Sequence, residues 1–163
     1  MASGDSLVIW TPLHNEPTSA SYATLDTRNQ HPCLDFDAAL DEFGVFSSVM
    51  PRAYASGGVT VYASIAMSSA TSGCVDLTGA FERIGSDNLD IDADSFASAC
   101  TLSNFAVPGT SGCVITASWA HANGAEIDSI VGGEGFRFKF GRSGSSDGAT
   151  GDMELLFVEL KET

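Results

Sequence analysis

Lysine is nearly missing from this chain. Lys139 and Lys161 are its two copies, and all basic side chains together number 7 against 21 acidic ones, a net charge of −14. Helical surfaces draw on Lys, Glu and Gln, so the scarcity argues against an α-rich fold. The acidic balance repels phosphate backbones and anionic headgroups, which excludes nucleic acid and membranes as partners. No apolar run approaches the roughly 18 residues of a membrane-crossing helix. The opening MASGDSLVIWTPLHN has no basic stretch ahead of its short apolar run, so no signal peptide is expected, and synthesis in a cytoplasm follows. Walker loops, G-x-G-x-x-G and H-E-x-x-H are all missing. Cys33, Cys74, Cys100 and Cys113 form no C-x-x-C pair. The expectation is therefore free, mostly buried thiols, no metal, no disulfide and no cofactor.

What the chain does have is alternation. Its 163 residues suit one domain, and 44% are hydrophobic. Val59, Val61, Ala63, Ile65 and Met67 alternate with polar or small residues, as do Val75, Leu77 and Phe81, then Cys113, Ile115, Ala117 and Trp119, then Phe136, Phe138 and Phe140. Period two marks half-buried strands. Residues 153–158 are apolar on both faces, which marks a central strand. Weaker strands are read at 7–10, 22–27, 33–36, 45–50 and 96–105. Gly-rich turns separate these runs, so the fold is expected to be all-β: a single antiparallel β-sandwich of jelly-roll type over residues 1–163, with eight or more short strands. The expected core is Val59, Val61, Ile65, Leu77, Phe81, Ile115, Trp119, Phe138, Leu155 and Phe157. Around 36–43 and 122–131 the spacing admits a helical turn, though looped connections suit it better. The phrase Thr-Ser-Gly-Cys-Val occurs at 71–75 and again at 110–114, opening a strand each time.

Chemistry is sparse. Asp90, Asp92 and Asp94 have the spacing that opens an EF-hand loop, but Ser95 replaces its glycine and Thr101 its closing glutamate, so a solvated acidic turn is expected. His31, Cys33, Asp35 and Asp37 share a face of one strand, an arrangement that admits a transition metal but is equally the outer side of a strand. His14, His31 and His121 sit near turns and are expected to face solvent. A pair of glycosidase carboxylates leaves no local signature. With so few candidate bases the chain is expected not to be an enzyme. Arg28, Arg52 and Tyr54 are candidate interface anchors, the arginines having local salt bridges as their alternative. Residues 1–11, with the apolar Leu7, Val8, Ile9 and Trp10, form a candidate contact arm that adds to a neighbour's edge, or pairs within its own chain. Trp10 is also the one tryptophan left free for an exposed site.

The phrases YATLDTRNQHPCLDFDAA (22–39), VMPRAYASGGVTV (49–61), GAFERI (79–84) and GDMELLFVELKET (151–163) resemble a family of small jelly-roll virion proteins of tailed bacteriophages. The resemblance implies a capsid decoration, or cement, protein on the virion exterior, a homotrimer in contact with the major capsid protein. It brings no active-site residues. The alternative is a tail-tip or fibre module that binds host surface carbohydrate.

Overall fold

The computed structural model describes residues 3–85 and 87–163. Met1 and Ala2 of the candidate arm lie outside the described residues. Ten strands follow one another: β1 (Ser6–Trp10), β2 (Thr24–Arg28), β3 (His31–Phe36), β4 (Asp41–Val49), β5 (Val59–Met67), β6 (Cys74–Ile84), β7 (Cys100–Ala106), β8 (Ile115–His121), β9 (Gly135–Ser143) and β10 (Met153–Glu162). Six form one sheet in the order β2-β3-β10-β5-β8, with β1 also on β10. The other four form a second sheet, β4-β9-β6-β7. The strand pairs are antiparallel, and the fold is the expected β-sandwich. β10 is central: β5 flanks it from Met153 to Glu162, while β3 and then β1 share its other flank.

Alternation places the core between the sheets. Phe136, Phe138 and Phe140 of β9 point inward beside Phe46 and Phe81, facing Val61, Ile65 and Leu155 from the other sheet, all at most 1% exposed. Trp10 closes one end of this core. Its indole stacks 5.5 Å from Phe46, and its Nε1–H donates to the Ser47 carbonyl at 3.1 Å. Trp10 is therefore not the exposed tryptophan the sequence suggested. Leu7 is buried with it, Val8 is half-buried and Ile9 is exposed. β1 pairs with β10 of its own chain.

Several expectations are corrected by burial. Phe157 is 52% exposed, not core. The register runs Leu155 opposite Ile65, then Phe157 opposite Ser64, so Leu156 is an extra residue in a β-bulge. The bulge reverses the phase of β10, turning Val158 and Leu160 inward and Phe157 outward. Ile115 is half-buried at the start of β8. His121 is fully buried, not solvent-facing, and Tyr54 is 7% exposed. The Tyr54 hydroxyl accepts the Gly58 amide, and burial pushes its pKa up. Cys33 alone of the cysteines is buried; Cys74 and Cys100 are half-buried and Cys113 is exposed. The strand expected from Phe96 begins at Cys100. Phe96 instead lies on the outer face of its sheet under Lys139, 4.5 Å from the ring centre.

The connections are loops. Residues 37–40 turn between β3 and β4, and the 122–131 stretch makes a single 3-10 turn, Ala125–Ile127. The repeated Thr-Ser-Gly-Cys-Val phrase leads to strands in different sheets, β6 and β8. Its glycines adopt the same left-handed backbone, φ +97° at Gly73 and +76° at Gly112, so the repeat is one of turn chemistry. A buried arginine ties down the 144–152 loop. Arg142 is 0% exposed and its Nε–H donates to Asp147 at 2.8 Å. An Nη2 hydrogen donates to the other Asp147 oxygen at 3.1 Å, and the remaining three reach the carbonyls of Ala149, Gly151 and Phe36. With every donor direction used, the ion pair is tolerated in the interior.

Candidate ligand-binding groove

The outer face of the six-stranded sheet carries a groove of about 550 Å³, in the range of small-ligand sites. Its base comes from the sheet: Ala66 of β5 and Glu154, Leu156 and Phe157 of β10. Its sides come from three loops. Thr11 caps, and Pro12 and Leu13 belong to, the 3-10 turn Pro12–His14; Arg28, Asn29, His31 and Pro32 belong to the β2–β3 hairpin, and Gly112 and Val114 to the turn before β8.

Local sequence explains each side. Asn29 and Gln30 both have positive φ, 45° and 67°, the two-residue turn whose twist matches a right-twisted hairpin. This tight reversal holds Arg28 and His31 side by side on the register. Arg28 then reaches across the sheet. Its Nη1 donates to Glu154 Oε2 at 2.6 Å and to the Met67 carbonyl at 2.9 Å. Gly112 makes room for it: a Cβ there would stand 2.8 Å from Arg28 Nη2. The expected alternative for Arg28, a salt bridge, is what the fold contains, and the pair sits in the groove wall. Among the described residues, the Arg28 side chain bonds through Nη1 alone, which leaves its Nε–H and Nη2 hydrogens as donors for a ligand.

Apolar surface dominates the rest. Phe157, Leu13 and Val114 are 52%, 68% and 56% exposed. A second, smaller depression of about 310 Å³ adjoins the groove through Pro12 and Leu13, and is lined by Asn15, Tyr22 and Leu25 among others. Tyr22 is half exposed, so two aromatic faces stand on either side of the Pro12–Leu13 ridge. The groove combines stacking surface with a small, oriented polar set.

Beside the groove lies an acidic cluster. Burial first, then Asp152, Glu154, Asp26 and Glu42, raises the Asp35 carboxyl to about 6. Burial and the Glu154, Asp26 and Asp35 carboxylates push the Cys33 thiol up to about 11, which makes it inert. His31 is exposed and belongs to the groove, whereas Cys33 is buried, so the strand face considered for a metal is split. Asp90 caps an exposed turn, accepting the amides of Ala93 and Asp94. Arg52 is exposed beside Gly133, away from the groove lining.

The sequence did not single out Phe157, Leu13 or Glu154 for this site. Phe157 was hidden by the bulge, and Glu154 was one carboxylate among many.

No family model matches the chain, and no curated protein matches it. Among solved structures, an arabinose-bound α-L-arabinofuranosidase aligns with 91% of this chain over 23% of its own, at 12% identity and TM-score 0.50. The CBM22-1 xylan-binding domain of Paenibacillus barcinonensis Xyn10C aligns over 99% of this chain and 96% of its own, at 12% identity and TM-score 0.46. A family 30 carbohydrate-binding module covers 99% and 96%, at 10% identity and TM-score 0.48. These likenesses concern the fold. The arabinofuranosidase likeness, at TM-score 0.50 and to a protein that is not of a virion, overturns the bacteriophage virion resemblance and, with it, the capsid decoration reading. The quoted phrases fall on β2–β3, the β4–β5 connection, β6 and β10, which are strands and turns such as any β-sandwich requires.

Proposed function

We propose that this protein is a non-enzymatic carbohydrate-binding domain, with the groove over β10 as its sugar site. The single observation that carries the reading is Phe157, a large aromatic turned outward by a bulge onto the floor of a groove. A pyranose presents a flat patch of C–H groups that stacks on such a face. Its hydroxyls need a few fixed donors and acceptors, and Arg28, Glu154, Asn29, His31 and Thr11 supply them. The Arg28–Glu154 bond holds both groups before ligand arrives, which lowers the ordering cost of binding.

Glu154 is the one carboxylate among the lining residues, and Arg28 already engages it. Hydrolysis needs two carboxyl groups flanking the bond, so the groove is suited to binding rather than to cleavage. The net charge of −14 disfavours acidic polysaccharides, which leaves neutral sugar chains as the ligand class. The adjoining depression with Tyr22 favours a chain over a single sugar.

Phe157→Ala tests this. A panel of neutral oligosaccharides of increasing length is titrated calorimetrically against wild type and variant. The expected result is binding that strengthens with length and falls at least tenfold, about 1.4 kcal/mol, in the variant. Because Phe157 is outside the core, its thermal midpoint should stay within about 4 °C of wild type, the shift expected from a surface change. Binding unaffected by the substitution would remove the groove from the function.

A further inference from the structure

The terminal strands of the two sheets, β7 and β8, lie against each other at one side of the sandwich. Three side chains meet there. Cys100 opens β7, His121 closes β8, and Glu126 stands in the 3-10 turn that packs on β6. A sulfur, a ring nitrogen and a carboxylate oxygen from these residues all lie within 4.8 Å of one another.

His121 is the telling member. It is 0% exposed, and neither ring nitrogen makes a hydrogen bond of good geometry, the Glu126 backbone being the polar group nearby. An imidazole buried without partners is costly unless something completes it. The surrounding structure fixes the ring. It sits 5.0 Å from Phe81, nearly perpendicular to it, and a Cβ at Gly79 would come within 3.0 Å of Nε2. The Glu126 carboxylate is oriented as well, accepting the Ala122 amide at 2.6 Å.

We propose that Cys100, His121 and Glu126 form a site for a divalent transition-metal ion, zinc foremost, that staples the edge of one sheet to the edge of the other. The donor set decides the class of ion. Thiolate with imidazole selects zinc and its neighbours over calcium or magnesium, which take oxygen ligands. Bond lengths of about 2.0–2.3 Å place tetrahedral ligand atoms about 3.3–3.6 Å apart, so the cluster closes by at most about 1.5 Å on binding. Cys100 is half-buried and Glu126 exposed, so both have room to turn. On binding, the Cys100 S–H bond breaks, its proton leaves to solvent and the sulfur electron pair binds the ion. A water fills the fourth position. The sequence reading expected no metal because the EF-hand pattern is broken and the cysteines are scattered; Cys100, His121 and Glu126 are spread over 27 positions and share no motif. None of the three lines the groove, so this site stands independently of the sugar reading.

Cobalt(II) added to the reduced, chelator-stripped full chain is the probe, with absorption as the readout. One equivalent should give a thiolate-to-cobalt charge-transfer band, displaced by one equivalent of zinc. Cys100→Ser should abolish the band, while Cys113→Ser should leave it intact. Glu126→Gln, an exposed change that keeps the fold even if the Cys100 variant does not, should weaken zinc binding at least about tenfold. No band at one equivalent, a band that follows Cys113, or unchanged zinc affinity in the Glu126 variant would overturn the proposal.

Discussion

At the scale of single residues, the outer face around β3 stores an electrostatic conflict. Asp35 sits near Asp152, Glu154 and Asp26, partly desolvated, and its carboxyl is raised from 3.8 to about 6. An acid with a raised folded-state pKa binds more protons folded than unfolded, so its contribution to stability falls as pH rises between 3.8 and about 6. His121, held neutral by burial, works the other way: protonation of the unfolded chain below its ordinary 6.5 weakens the fold. The two effects overlap, so the wild-type profile alone does not separate them. Asp35→Asn does. The variant removes the buried charge, and its stability advantage over wild type should be larger at pH 7 than at pH 4, read from thermal midpoints at both. An advantage independent of pH would place the cost of Asp35 elsewhere.

At the scale of elements, β1 is the strand with most at stake. It has 5 residues and pairs on one side, with β10. Yet through Trp10 it binds the two sheets together, since the indole packs on Phe46, Phe136 and Phe138 of the opposite sheet. Trp10→Ala should cost about 3–5 kcal/mol, as truncating a large core aromatic does, and denaturant unfolding would measure it. Deleting residues 3–10 should cost more, because β10 would also lose hydrogen-bond partners along one edge. A loss below about 1 kcal/mol for Trp10→Ala would mean that β1 is a dispensable arm after all. β10 shows the opposite economy. One inserted residue, Leu156, converts a core position into a surface aromatic, and the groove is built on that change.

At the scale of the whole molecule, the charge dominates. A surface of 7603 Å² carries a net −14, and such self-repulsion opposes compaction. The arginine pairs with Glu134, Glu82, Glu154 and Asp147 are partly or fully buried and feel salt little. Raising ionic strength from about 0.01 to 0.15 M shortens the screening length from about 30 to 8 Å. The thermal midpoint should therefore rise with salt in scanning calorimetry, and a fall would mean that favourable ion pairs outweigh the repulsion.

Much of the fold was legible in the sequence because alternation is local. Val59 to Met67, Val75 to Phe81 and Phe136 to Phe140 announce strand and inward face within a few residues, and Gly73 and Gly112 announce their turns. The central place of β10 followed from its two apolar faces. Three things were decided by tertiary structure alone. A bulge is a mismatch between two strands, so the outward turn of Phe157 has no trace in β10 itself. The groove gathers side chains from five separate segments, and its walls meet only when β2–β3 and the turn before β8 fold over one sheet. The buried His121 has its neighbours on β7 and in the Ala125–Ile127 turn because two sheets stack edge to edge. Local periodicity sets which way a side chain points; which other side chain it then meets is set by pairing and stacking between segments far apart in the chain.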